Sequence, residues 1–211
     1  MSTEQRFADV VTSEEQFRAV IGHPSHRVLK KEISFLDASC RAFIAKSPFV
    51  FVASCDAEGR MDISPKGDPS GFVYIIDDRT LAIPDRPGNR RADTFQNLLQ
   101  NPQVGLLFLI PGKSETLRVS GRAIIVRDSA LLERMTVDGK IPGLALVVTV
   151  EQAFLHCPKC MIRSALWDQK SWPDESGLPT LAESMVAAGK LEETAEEMQA
   201  LIDKDARTRL Y

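Results

Sequence analysis

The middle third of this chain sets its fold class through its rhythm. Short β-rich runs follow one another across a few turn residues, while helical patterns gather at the two ends. Residues 48–54 form a first run. The turn Asp56-Ala-Glu-Gly59 suits a hairpin, because glycine takes the positive φ such loops need. Residues 60–64 continue with alternation, 65–71 read as a loop by composition, and 72–76 and 80–84 read as the next strands. A helix is expected over 89–101, ended by Asn101-Pro102. Then come a buried strand at 104–110, a long strand at 116–126 bent at Gly121, a short helix at 129–135 and a last strand at 145–156. Hairpin-linked strands with few helices between them exclude an alternating parallel sheet. They predict a mostly β fold with flanking helices, built as an antiparallel barrel.

The ends read as helix. Thr12-Ser13-Glu14-Glu15 is a helix start, Gly22-His23-Pro24-Ser25 breaks the pattern, and one apolar face runs over roughly 27–46 through Leu29, Ile33, Leu36, Cys40, Phe43 and Ile44. Residues 181–201 are acidic and amphipathic. The expected division is a helical extension at 1–46, a barrel domain at 47–170 and a second helical extension at 171–211.

Charge converges on the barrel. The second strand ends on Ser64 and Lys66, and a later strand delivers Arg86, Asn89, Arg90 and Arg91. Residues two apart on a strand project to one side, so Ser64 and Lys66 share a face. Arg90 and Arg91 open the expected helix, where backbone N–H groups and the dipole favour an anion. Arginine, lysine and a serine hydroxyl are suitable donors for a phosphate. A solvated turn with scattered charges is the alternative.

Composition narrows the partners. The net charge is -3, with 44% apolar and 26% charged residues. An acidic balance disfavours nucleic acid, whose binding domains are usually basic. No run of about 18 apolar residues offers a membrane span, and residues 1–9 carry charges with no signal-peptide core. Four cysteines make no disulfide framework. That fits a reducing compartment, and a cytoplasmic location is expected.

Cys157-Pro-Lys-Cys160 reads in three ways: half of a zinc site, a redox pair, or two small residues flanking a functional Lys159. Arg163 and Trp167, four apart, either share a helical face and flank a planar ligand or simply pack together. The histidines at 23, 26 and 156 make no metal triad by spacing, and no metal site is expected. The common nucleotide loops and the serine-nucleophile elbow are absent. No side chain stands out as a catalytic acid or base.

Residues 48–126 resemble the pyridoxamine 5′-phosphate oxidase-like flavoproteins. The resemblance lies in the hairpin over 49–63, Ser-Pro-Lys-Gly at 64–67, Asn-Arg-Arg-Ala at 89–92, the helix ending at Asn101-Pro102, the strand at 104–110 and Leu-Arg-Val-Ser-Gly-Arg-Ala at 117–123. His-Cys-Pro-Lys at 156–159 and Arg-Ser-Ala-Leu-Trp at 163–167 look like one branch of that family, and the match covers roughly 25–170. It implies an antiparallel split β-barrel of the FMN-binding type, a homodimer, FMN as cofactor and an oxidoreductase acting on an unknown small-molecule substrate.

The resemblance also implies site residues. The flavin segment of the second strand matches Met61, Asp62, Ile63, Ser64 and Lys66. The strand-end pair before the phosphate loop matches Ile83 and Pro84, and the phosphate-gripping pair matches Arg90 and Arg91, beside Asn89. The position approaching the flavin ring or ribityl chain falls near Thr116. Lys159, Arg163 and Trp167 are implied to close the pocket or to come from the partner subunit. Met61 stands where the oxidases carry arginine, and Pro65 and Pro84 depart from their pattern. A protein that holds flavin or haem without turnover is the alternative, with His156 as the axial ligand to haem.

Overall fold

The computed structural model describes residues 6–211, so the first five residues of the stretch read as helical lie outside it. The chain divides into two compact units, one up to Glu32 and one over Ile33–Tyr211. The first holds α1 (Glu14–Ile21) and α2 (His26–Lys30). Ser13 caps α1 in a capping box with Gln16, as the residue types require. Neither helix buries a residue.

The long helix expected over 27–46 is interrupted. α2 ends at Lys30, Ile33 pairs with Ala153 as an isolated antiparallel bridge, and α3 (Ala38–Lys46) starts afresh. The physical reason is Asp37, whose carboxylate accepts the Cys40 N–H and caps a new helix. Apolar spacing alone carried across that break.

Seven strands follow: β1 (Phe49–Cys55), β2 (Met61–Gly67), β3 (Tyr74–Ile75), β4 (Thr80–Pro84), β5 (Gln103–Leu109), β6 (Thr116–Val126) and β7 (Ala145–His156). Every pairing is antiparallel, in the order β2-β1-β5-β6-β7-β4-β3. The fold is mostly β with flanking helices, an antiparallel split β-barrel whose sheet does not close. Gly59 turns the first hairpin at φ 80°. β2 runs three residues further than composition suggested, through Pro65, Lys66 and Gly67. It is an edge strand, where a proline costs no ladder bond.

The bend in β6 is a bulge at Ser120/Gly121. The core packs Leu36, just before α3, and Phe43 and Ile44 of α3 against Val50, Val52, Leu81, Ile83, Leu106, Phe108, Leu117 and Val148. α4 (Asp93–Gln100) lies over β1, and α5 (Ser129–Glu133) and α6 (Lys159–Arg163) are single short turns. The acidic stretch at 181–201 is two helices, α7 (Leu181–Gly189) and α8 (Ala195–Thr208), broken where Lys190 turns left-handed. Among the described residues no helix is long and apolar enough to cross a membrane.

Candidate functional site

β2 places the first donors. Its burial alternates, with Asp62, Ser64 and Lys66 half-buried and Met61, Ile63 and Pro65 turned to the other face. β1 holds this register, setting Ser64 opposite Val52 and Lys66 opposite Val50. Asp62 is fixed from α4, whose Thr94 hydroxyl donates to its carboxylate at 3.0 Å. The loop after β4 brings Arg86, Asn89, Arg90 and Arg91 to the same place. Residues 62–66 of β2, Thr94 and the four loop residues line one cavity of about 620 Å³, and Met61 does not.

The helix expected from Asn89 begins at Asp93, so Arg90 and Arg91 stand in the loop before it and not in its first turn. Arg90 at φ 63° and Ala92 at φ 57° are left-handed non-glycine residues two apart. Each costs about 1–2 kcal/mol against an ordinary backbone, and strain of this kind gathers at ligand-binding segments. Asn89 steadies the turn by accepting the Arg91 N–H at 3.0 Å.

The cavity's charges are unbalanced. Lys66, Arg86, Arg90, Arg91 and Arg209 face Asp62, Asp85 and Asp93. Asp85 lies 3.6 Å from the Lys66 ammonium, and Asp93 accepts from Arg91 at 2.7 Å. That carboxylate raises the Arg91 pKa above its ordinary value, chiefly through the hydrogen bond. Arg86 is committed elsewhere: it donates to Asp68 at 2.6 Å and to the Met135 carbonyl at 2.8 Å. Arg60 is a hairpin charge, paired with Asp56 and Glu58. Five cations line the cavity against three carboxylates, and with Arg86 held by Asp68 and Arg209 by Asp205, Arg90 is the lining cation with no ion pair among the described residues, open to an anion.

A second cavity, of about 670 Å³, opens on the sheet face across Phe51, Ala53, Gly105 and Leu107, with Thr116, Gln152, His156, Cys160 and Met161 at its border. Ile63 borders both cavities. The two spaces meet at the β2 edge, whose outer side pairs with no strand among the described residues. A ligand with an anionic end and a flat apolar end fits this pair of spaces, and the free edge offers it backbone donors and acceptors.

Other expected residues lie elsewhere. Met61 is exposed and lines neither cavity. Ile83 is a core residue at 1% exposure. Pro84, paired with Ala145, borders only a smaller recess of about 300 Å³ beside Lys66. Lys159 and Arg163 are exposed on α6 and line neither cavity. Arg163 and Trp167 do not share a helix, since α6 ends at Arg163 and Ala165 turns left-handed. The Trp167 indole donates to the Lys113 carbonyl at 2.9 Å instead. Cys157 and Cys160 are free and exposed.

Residue reasoning missed Arg209 and Tyr211, which line the first cavity from the far end of the chain. The Tyr211 hydroxyl donates to Asp68 at 2.7 Å, and that bond raises the phenol pKa above its ordinary value. No local pattern marks the contact, which joins residues 143 positions apart.

The sequence model of the family described as pyridoxamine 5′-phosphate oxidase matches residues 36–157. No curated protein sequence matches the chain. Solved structures similar to it include HupZ of Group A Streptococcus, at 21% identity over 56% of this chain and 92% of that one, with a TM-score of 0.46. A candidate pyridoxamine 5′-phosphate oxidase from Lactobacillus delbrueckii is 18% identical over 58% and 95% of the two chains, with a TM-score of 0.45. HutZ, the haem storage protein of Vibrio cholerae, is 17% identical over 57% and 93%, with a TM-score of 0.39.

Proposed function

The chain belongs to the pyridoxamine 5′-phosphate oxidase family, and from that premise we propose that it binds FMN and works as a flavin-dependent oxidoreductase on a small molecule. One observation carries the reading. Ser64, Lys66, Asn89, Arg90 and Arg91 surround one cationic cavity, and Ile63 joins it to an apolar one. In this reading Lys66, Arg90 and Arg91 hold the phosphate, and Ser64 and Asn89 add polar contacts. Bound FMN supplies the redox chemistry, and the protein supplies placement and electrostatics. The free β2 edge recognises the ring's polar rim through backbone groups, while Thr116 and the second cavity take its flat body. We further propose a homodimer in which Lys159, Arg163 and Trp167 of one protomer complete the site of the other. Four free thiols fit a cytoplasmic setting.

The test is direct titration with FMN. Arg90→Ala together with Arg91→Ala removes two charge-assisted contacts, each worth about 1.5–3 kcal/mol. The expected loss of FMN affinity is on the order of a hundredfold or more. Wild-type protein that takes up no FMN, or a double variant that binds as well as wild type, sinks the reading. Reduction of bound flavin by a nicotinamide donor and its reoxidation by a screened acceptor then separates an enzyme from a carrier.

A haem-holding protein without turnover is the second reading, favoured by His156 at the border of the apolar cavity. Haem uptake with a Soret band that His156→Ala abolishes supports it. Flavin absorbance with no haem uptake rejects it.

A further inference from the structure

From the way the chain's last described residues lie against the anion cavity, and resting on the FMN reading above, we infer that 209–211 form a strap that closes the phosphate end and adds Arg209 to its grip. α8 ends at Thr208, and the chain then lays Arg209 and Tyr211 along the cavity wall. Tyr211 is the fastening. Its hydroxyl reaches Asp68, whose side chain is 1% exposed and accepts Arg86 on its other oxygen. The Arg86 guanidinium carbon lies 5.5 Å from the centre of the Tyr211 ring, and Arg86 also donates to the Met135 carbonyl. The strap is therefore tied to the loop after β2 and, through Arg86, to the loop after β4 and the turn after α5.

Arg209 is the ligand-facing part. It pairs with Asp205 at 2.6 Å within the last turn, both side chains half-exposed. It also approaches the Gly88 carbonyl at 3.5 Å, in the loop that carries Asn89, Arg90 and Arg91. A further cation beside Lys66, Arg90 and Arg91 is unfavourable without an anion between them, because like charges within a few ångströms repel. A phosphomonoester reverses that sign. The bound phosphate thus draws Arg209 in and shuts the strap, and an empty cavity leaves the Tyr211 fastening and the long Gly88 contact to hold it.

The full-length chain, as wild type, Arg209→Gln, Tyr211→Phe and Lys66→Gln, is titrated with FMN and with riboflavin, which lacks the phosphate. Arg209→Gln is expected to lose FMN affinity roughly tenfold, the value of one charge-assisted contact, and to bind riboflavin as wild type does. Trypsin supplies an independent readout at Arg207, a cleavage site that wild type and Arg209→Gln share. FMN is expected to protect that site in wild type but not in Arg209→Gln, riboflavin is expected to protect neither, and Tyr211→Phe is expected to be cut faster in the absence of ligand. If Arg209→Gln keeps wild-type FMN affinity while Lys66→Gln loses it, the strap is overturned and the FMN reading stands. If wild type binds no flavin, the FMN reading falls, and inorganic phosphate in the same trypsin assay judges the strap. Protection that depends on Arg209 then supports it, and no protection overturns it.

Discussion

Ala92 sits at φ 57° as the cap of α4, with Arg90 two residues earlier at φ 63°. Glycine removes the steric cost of that conformation but adds unfolded-chain entropy, so Ala92→Gly is expected to gain about 0.5 kcal/mol. Ala92→Val, β-branched at positive φ, is expected to lose about 1 kcal/mol or more. Urea unfolding of both variants measures the strain carried by the loop that presents Arg90 and Arg91. Cys40 makes a second residue-scale case. Burial first, and then the hydrogen bond and charge of Asp37, push its thiol up to about 12. In the window from 9.0 to about 12 the unfolded thiol ionises before the folded one, so this contribution to stability is intact below 9.0 and fades as pH rises. At neutral pH, iodoacetamide is expected to label the exposed Cys157 and Cys160 and to spare Cys40 until the chain unfolds, as read by peptide mass spectrometry.

Among the elements, β6 depends on its bulge. A Cβ added at Gly121 would lie 2.0 Å from the Thr149 carbonyl oxygen, a contact that only movement of β7 backbone relieves. Gly121→Ala is expected to cost about 3 kcal/mol, the upper range for overpacking. Gly105→Ala on neighbouring β5 meets nothing nearer than the Ala53 Cβ at 3.8 Å, so it is expected to be tolerated. Chemical denaturation of the pair separates a steric limit from a general intolerance of change in the sheet. β2 teaches a related lesson. Its proline and glycine made 65–67 look like a loop, yet an edge strand needs ladder bonds on one side only, and β1 supplies them.

For the whole molecule, the unit up to Glu32 is separable in stability. α1 and α2 bury no residue, and the backbone bridge that ties Ile33 to Ala153 lies within the second unit. A chain lacking residues 1–32 is expected to unfold within about 0.5 kcal/mol of the full chain. A loss of several kcal/mol in its denaturation curve would refute that separation. The opposite end behaves differently, because Tyr211 is bonded to Asp68 beside the anion cavity.

The strands, their antiparallel character and the shared face of Ser64 and Lys66 were legible in the sequence. Alternation, turn residues and apolar runs are local properties, and each strand declares itself within its own stretch of chain. The convergence of Lys66 with Arg90 and Arg91 was legible from strand ends and charge, with a solvated turn as the alternative, and the family resemblance sharpened it into a phosphate grip. Three things needed the tertiary structure. Asp37 breaks one apolar face into two helices, because a cap overrides periodicity. Arg86, a free cation by spacing, is consumed by Asp68 and Met135. Arg209 and Tyr211 reach the cavity across more than a hundred residues. Periodicity and turn chemistry fix which segments are strands and helices. Which distant side chains share a cavity is decided by packing, and no local pattern encodes it.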